Sequence, residues 1–285
     1  MKRIIITGSD EKFYPFLEEL IDSLFQWDEP LSDAIGVLDL GLSQESLQKL
    51  KSRSIRTVSP DWDRTSRKDL IEGKPHLRAL TARPFLPKYF PGYDLYLWID
   101  ADAWVQNRFA VDWLFQSAAS GSMGLVPQTD RAYVHSRPLL NWRKQRLQNF
   151  YRSEGVGLFE INTYFNAGVY ALRHDAPHWE SWARYFQAGL RKNTATFCDQ
   201  TALNFAIWKD RLPVHPLPAL CNWCCHLQLP SINLKTKQLC EPFIPHKELG
   251  ILHMTAETKD KKIKVNSGKG VYVSLRFNAL KDLKI

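Results

Sequence analysis

Along the first sixty residues, short apolar runs alternate with stretches whose apolar positions recur every three or four. Ile4-Ile5-Ile6 reads as a buried strand. After it, Phe13, Phe16, Leu17, Leu20, Ile21 and Leu24 share one face of a helix. Ala34–Leu38 is extended, Ser43–Ser52 is helical with Ser43 as N-cap, and Ile55–Val58 is extended again. Ser59-Pro60-Asp61-Trp62-Asp63 forms a loop, and residues 76–83 carry a helical pattern expected to stop at Pro84. Leu95–Ile99 is a strand, Val111–Ala119 a helix and Met123–Val126 a strand. The segment 128–160, rich in Arg, Gln and aromatics, holds a helix around Trp142-Arg-Lys-Gln-Arg146. Tyr164–Leu172 is extended. A helix capped by Asp175 opens near Pro177 and buries Trp179, Trp182 and Phe186. Another starts at Asp199, and Leu249–His253 is a late strand. Repeated β-α-β units predict an α/β fold, one domain with a mainly parallel central sheet flanked by helices.

The strand Leu95-Tyr-Leu-Trp-Ile runs directly into Asp100-Ala101-Asp102. Side chains alternate along a strand, so the two carboxylates are expected on one side. Open α/β sheets bind ligands beyond the carboxyl ends of their strands. Two acids placed there repel each other unless a cation lies between them. Oxygen-rich sites suit Mg²⁺ or Mn²⁺, which often bridge carboxylates to phosphates. As a bare pattern, D-x-D is equally compatible with two solvated acids at a strand end.

Composition narrows the setting. With 285 residues, 44% hydrophobic and 24% charged, the chain can build a sizeable core. No apolar run approaches the roughly 20 residues of a membrane span. The opening Met1-Lys-Arg-Ile-Ile-Ile is too short in its apolar part for a secretory signal. Five cysteines (198, 221, 224, 225 and 240) are an odd, late-clustered set, which argues for reduced thiols and a cytoplasmic location. Cys221, Cys224, His226 and Cys240 offer four zinc ligands, but without a second C-x₂-C pair they read better as small apolar residues. The net charge is +8, and from Lys259 onward eight Lys or Arg stand against two Asp, a net +6. This basic segment suits a diphosphate or an anionic, peripheral membrane surface. No helix-turn-helix, zinc-finger or RNP pattern accompanies it, so nucleic acid is not expected. The organisation expected is therefore a transferase-sized domain over 1–258 and a basic segment over 259–285, packed on it or trailing from it.

Several motifs stand in a telling order. Arg83-Pro-Phe-Leu-Pro87-Lys-Tyr-Phe-Pro91 leads into the acidic strand and Asp100-Ala-Asp102. Tyr164-Phe165-Asn166-Ala167-Gly168-Val169, Asp199-Gln200-Thr-Ala-Leu-Asn204 and His253-Met-Thr-Ala-Glu-Thr-Lys259 follow. Together they resemble the family 8 glycosyltransferases, a GT-A-fold group that includes glycogenin-like and lipopolysaccharide galactosyl- and glucosyltransferases. The resemblance implies a retaining, metal-dependent hexosyltransferase that uses a nucleotide sugar, a UDP-sugar, with a glycan or lipid-linked acceptor. It assigns Asp100, Asp102 and His253 to the metal, and Thr7, Asp10, Phe13, Arg83, Asn166 and Lys259 to the substrate. Asp199 and Gln200 would stand nearest the anomeric carbon. Transfer breaks the bond from that carbon to a phosphate oxygen, so a cation beside the leaving diphosphate lowers the barrier.

By their residues alone, Asp10 and Asp199 fit equally as helix caps, and Lys259 as one charge in a basic run. Where the family has Gly two before the Thr-Lys pair, this chain has Ala256. The usual Pro-Trp after the Lys is Asp260-Lys261. Both changes touch the phosphate-binding segment, which leaves open a nucleotide-sugar-binding protein of impaired turnover. A haloacid-dehalogenase-type phosphatase also carries D-x-D after an apolar strand, though near the chain start.

Overall fold

The computed structural model describes residues 1–62, 74–192, 198–264 and 272–281. Its strands in chain order begin with β1 (Arg3–Ser9), β2 (Ala34–Asp39), β3 (Arg56–Val58), β4 (Leu95–Ile99) and β5 (Ala103–Val105). Then come β6 (Met123–Pro127), β7 (Phe165–Arg173), β8 (Val214–Pro216) and β9 (Trp223–Cys224). Last are β10 (Ser231–Asn233), β11 (Gln238–Cys240), β12 (Ile251–His253), β13 (Lys262–Lys264) and β14 (Tyr272–Ser274). The longer helices are α1 (Tyr14–Leu24), α2 (Gln44–Ser52), α3 (Phe109–Ala119), α4 (Arg137–Ile161), α5 (His178–Lys192) and α6 (Asp199–Asp210).

Seven strands form the central sheet in the order β3-β2-β1-β4-β7-β6-β8. The run from β3 to β4 is parallel, as is β6 with β8, while β7 is antiparallel to both its neighbours. The sheet is therefore mainly parallel, and helices cover both faces. Strand β4 shows how its residues build two cores at once. Tyr96 and Trp98 point into a cluster with Phe150, Trp182 and Phe186. Leu95, Leu97 and Ile99 point the other way, onto Val111, Leu114 and Phe115 of α3. All five β4 residues are buried, which is why this segment is an unbroken apolar run rather than an alternating one.

Local signals in the chain account for several boundaries. Ser43 Oγ accepts the Ser46 N–H and caps α2. Asp10 Oδ1 accepts the Phe13 N–H and caps the short turn before α1. The helical pattern at 76–83 does not end at Pro84. Helical turns continue through Arg83–Phe85 and Leu86–Tyr89, because each proline falls in the first turn of a new piece, where no N–H is needed. Helix α4 is interrupted at Arg152, whose φ is 58°.

A second sheet, three strands in the order β5-β12-β9, sits beyond the carboxyl end of β4. Strand β12 falls within the late strand expected at Leu249–His253, while the shorter β5 and β9 gave no readable pattern in the sequence. The outer face of this sheet packs on a third cluster containing Trp104, Trp223, Leu252, Ile263, Val273 and Phe277. The described part of the basic C-terminal segment thus lies against the domain. Trp104 Nε1 donates to the Leu275 carbonyl at 2.9 Å, and Arg276 pairs with Glu19 at 2.7 Å. Among the described residues no helix is long and apolar enough to cross a membrane. Asp63 of the predicted loop, along with 265–271 and 282–285 of the basic segment, lies outside the described residues.

Candidate active site

The chain leaves the large sheet at Ile99 and enters the small one at Ala103, so Asp100-Ala101-Asp102 is the turn between two sheets. The expected strand alternation does not position the doublet. A tight turn does: the Ala103 N–H donates to the Asp100 carbonyl at 3.0 Å, and the Asp100 N–H to the Gly168 carbonyl at 2.7 Å. Strand β12 then brings His253 opposite Ala103, and β9 brings Cys224 beside His253. Ligand atoms of Asp100, Asp102 and His253 come within 4.8 Å of one another. His253 Nε2 lies 3.2 Å from Asp102 Oδ1 and 3.7 Å from Asp100 Oδ2.

Which ring nitrogen carries the proton follows from a chain of hydrogen bonds. The Gly168 N–H can only donate, so the Asn166 atom 2.9 Å from it is its oxygen. Asn222 therefore turns its amide nitrogen to that oxygen at 2.9 Å and its own oxygen to His253 Nδ1 at 3.0 Å. Nδ1 carries the hydrogen, and in the neutral ring Nε2 presents a lone pair to two carboxylates. Such a set, two carboxylates and an imidazole lone pair held by a neighbouring amide, fits a divalent cation. Asn222 was hidden in the sequence between the cysteines considered for zinc. Those cysteines part company, with Cys221 in the core beside α3 and Cys224 in the third cluster. Burial pushes the Cys221 and Cys224 thiols up to about 12.

Close approach explains Gly168. A Cβ there would lie 2.2 Å from His253 Cε1 and 2.7 Å from Asp100 Oδ2. Lys259 Nζ reaches Asp102 Oδ2 at 2.7 Å and sits 5.6 Å from the Phe13 ring centroid. Burial pushes the Asp102 carboxyl up, but His253 and Lys259 outweigh it and hold the group at about 2. Asp100 goes the other way. Its burial raises it, against the pull of Arg83 and His253 and with Asp102 adding to the rise.

The doublet stands between two clefts. One, of about 440 Å³, is walled by Ser9, Asp10, Phe13, Leu40, Arg83 and the doublet, at the carboxyl ends of β1, β2 and β4. The other, of about 390 Å³, is walled by the doublet with Asn166, Gln200, His253, Arg143 and Trp142. Gln200 Oε1 accepts the Ala167 N–H at 3.0 Å, and Asn166 Nδ2 donates to the same oxygen at 3.3 Å.

Three expected residues, Thr7, Asp199 and Lys259, line neither cleft, though Lys259 touches Asp102. Thr7 is 1% exposed, inside the sheet, and the cleft wall begins at Gly8. Asp199 is 2% exposed and clamped by Arg83, with Nε to Oδ2 at 2.5 Å and Nη2 to Oδ1 at 2.6 Å. Its Oδ1 also accepts the Gln200 N–H. Arg83 is therefore spent largely inward. Its Nη1 donates to the Ala167 carbonyl at 2.8 Å and meets Asp100 Oδ1 at 3.3 Å, so it ties the doublet to the start of α6.

A family model described as glycosyl transferase family 8 matches residues 4–259. The chain belongs to this family. No curated protein matches the sequence. Among solved structures, the bifunctional glycosyltransferase WbbM is similar at TM-score 0.57 and 16% identity, over 90% of this chain and 46% of that one. The chain thus spans less than half of WbbM. The galactosyltransferase LgtC, solved with donor and acceptor sugar analogues, is similar at TM-score 0.58 and 16% identity, over 89% of this chain and 87% of that one. Mouse xyloside xylosyltransferase 1 follows at 0.55 and 12%, over 90% of this chain and 98% of that one. At these identities the likeness is one of fold, the GT-A type of family 8. Membership sets aside the phosphatase alternative.

Proposed function

We propose that the protein is a metal-dependent, retaining hexosyltransferase that takes its sugar from a nucleotide donor, a UDP-hexose, and passes it to a hydroxyl of a glycan or lipid-linked acceptor. The observation that carries this reading is that Asp100 and Asp102 belong to both clefts. A transfer enzyme must hold the reacting atoms of donor and acceptor side by side, and a wall shared by two clefts allows that. LgtC, of the same fold, is known with both a donor and an acceptor analogue.

The cleft at the ends of β1 and β2 is the donor side. Phe13 offers a ring to the base, Asp10 an acceptor to ribose hydroxyls, and Lys259 a cation to the diphosphate. Arg83 serves by holding Asp100 in place rather than by meeting phosphate broadside. Asp100, Asp102 and His253 Nε2 would hold Mn²⁺ or Mg²⁺, which when bound neutralises charge on the leaving diphosphate. Asn166 and Gln200 line the sugar's path. Asp199, sealed against Arg83, is no nucleophile, and Gln200 is a poor one. Departure and attack on one face, with the leaving phosphate oxygen taking the acceptor's proton, fits these side chains. The exposed Lys262 and Lys264 of β13 suit a protein working at an anionic, cytoplasmic membrane surface.

The test is hydrolysis and transfer of UDP-hexoses with Mn²⁺, with EDTA, and in Asp102→Asn. Activity lost in both the chelated and the substituted samples supports the reading, and activity indifferent to both overturns it. A second reading, a nucleotide-sugar-binding protein without turnover, is favoured by Ala256, which stands at a φ of 53°. Calorimetric UDP binding without transfer to any acceptor would select it.

A further inference from the structure

The cleft on the Asn166–Gln200 side contains a charge that the surrounding fold does not balance. Arg143 is 3% exposed yet forms part of the wall. Its Nη1 donates to His135 Nδ1 at 3.3 Å and its Nη2 to Gln128 Oε1 at 2.6 Å. The guanidinium also lies over Tyr164, 4.9 Å from the ring centroid. Every one of these partners is neutral; burial and the Arg143 cation itself hold the His135 ring below its ordinary range. Among the described residues no carboxylate pairs with Arg143. A guanidinium taken out of water without a counter-ion is costly, and it is stabilised when an anion arrives.

Two neighbours on α4 extend the feature. Trp142 is 42% exposed and lines the same cleft. Arg146 lies over the Trp142 ring at 4.9 Å, and its Nη1 is buried with no partner among the described residues. An aromatic face beside a charged anchor is the make-up of a sugar site that also reads charge.

We propose that this cleft takes a sugar acceptor bearing a phosphate or carboxylate, with Arg143 as the partner of the anion and Trp142 as the platform for the ring. The proposal rests on reading this cleft as the acceptor side. A guanidinium grips either anion through parallel N–H bonds, and only two of the five Arg143 donors are engaged within the described residues. Orientation follows from charge. Asp100 and Asp102 on the facing wall repel an anion, so the charged group lies toward α4 and a neutral hydroxyl lies toward the doublet.

The test is calorimetric titration of the full chain with three probes: a methyl hexoside, its 6-phosphate and the matching methyl uronate. Both charged probes should bind about tenfold tighter than the neutral one, and Arg143→Gln should erase that preference. The phosphate and uronate arms show which anion is preferred. Trp142→Phe, at an exposed position, should weaken all three probes while keeping the ratio. Should Arg143→Gln not fold, the wild-type ratio and the Trp142 variant decide. Equal affinity for charged and neutral probes, no binding of the charged ones, or a preference that survives Arg143→Gln overturns the proposal. No turnover is needed, so a chain that never transfers sugar would sink the transferase reading and leave this result standing.

Discussion

Asn222 Oδ1 accepts the Nδ1–H of His253 at 3.0 Å, and this bond decides which nitrogen faces Asp100 and Asp102. It also links the Gln200 end of one cleft to Asp102, which both clefts share. Gln200, Asn166, Asn222, His253 and Asp102 form one continuous polar chain, ending at Lys259. A group bound at one end therefore meets side chains whose orientation is set from the other.

The first prediction concerns that bond. Asn222→Leu keeps the size of the side chain and removes both the acceptor for Nδ1–H and the donor to Asn166. Mn²⁺ affinity should fall about 10- to 100-fold, the usual effect of losing a group that orients a metal-ligating imidazole. Calorimetric Mn²⁺ titration measures it. Unchanged affinity would remove His253 Nε2 from the ligand set.

Arg83 and Asp199 form a buried ion pair across 116 residues of sequence, with side chains 6% and 3% exposed. The Arg83 pKa is raised: burial lowers it, but Asp199 and Asp100 outweigh that. Removing one partner strands a charge. Asp199→Asn should destabilise the fold by about 3–5 kcal/mol, while a joint Arg83→Met/Asp199→Leu replacement should recover much of the loss. Denaturant unfolding reads both. A double variant as unstable as the single one would show that Asp199 is held for some other reason.

These examples also show what sequence can and cannot disclose. The apolar run 95–99 and the spacing of Phe13 to Leu24 reflect contacts made by every residue of an element, so periodicity carries them. The doublet and His253 were legible through short motifs with a shared chemistry, and the fold brings their ligand atoms together. Strands β5 and β9 have three and two residues, too few for a period to register, whereas β12 was expected within Leu249–His253. Asn222 is one polar residue whose meaning depends on β9 lying beside β12. The burial of Thr7 and Asp199 was not legible, because a motif gives a residue's place in the chain while its direction depends on Arg83 and on the sheet.

His178 ties stability to pH. It is buried, its Nε2–H donates to the Pro213 carbonyl at 3.1 Å, and Nδ1 has no partner among the described residues. Burial pushes it down to about 4 from the model-compound value of 6.5, with the Pro213 bond opposing. A histidine that resists protonation in the fold is protonated more readily when unfolded. Stability is therefore full above pH 6.5 and declines as pH falls toward 4, by at most about 3 kcal/mol from this group. His226, half-buried and also near 4, adds to the slope in the same direction. Urea midpoints between pH 7 and 4.5 should fall, and His178→Gln should flatten the trend. A wild-type profile that is flat over that range would contradict it.

Ala256 holds a φ of 53°, a left-handed conformation that glycine adopts freely and alanine does not. It sits where the family resemblance expects glycine, between His253 and Lys259. The turn is kept despite the strain, because Lys259 Nζ donates to the Met254 and Ala256 carbonyls at 3.2 and 3.1 Å before reaching Asp102. Two effects compete in Ala256→Gly. Relief of the left-handed penalty contributes about 1–2 kcal/mol, and the added freedom of the unfolded chain costs about 0.4–1 kcal/mol. Relief wins, so the thermal midpoint should rise by roughly 1–4 °C. The turn itself is already formed, so UDP affinity should stay within about twofold. Ala256→Val should act oppositely, since a β-branched side chain is still worse at this φ, lowering the midpoint and weakening UDP as Lys259 loses its perch. Melting curves and UDP titrations of the two variants measure this, and a Gly variant less stable than the wild type would mean that the turn does not carry the strain its backbone angle implies.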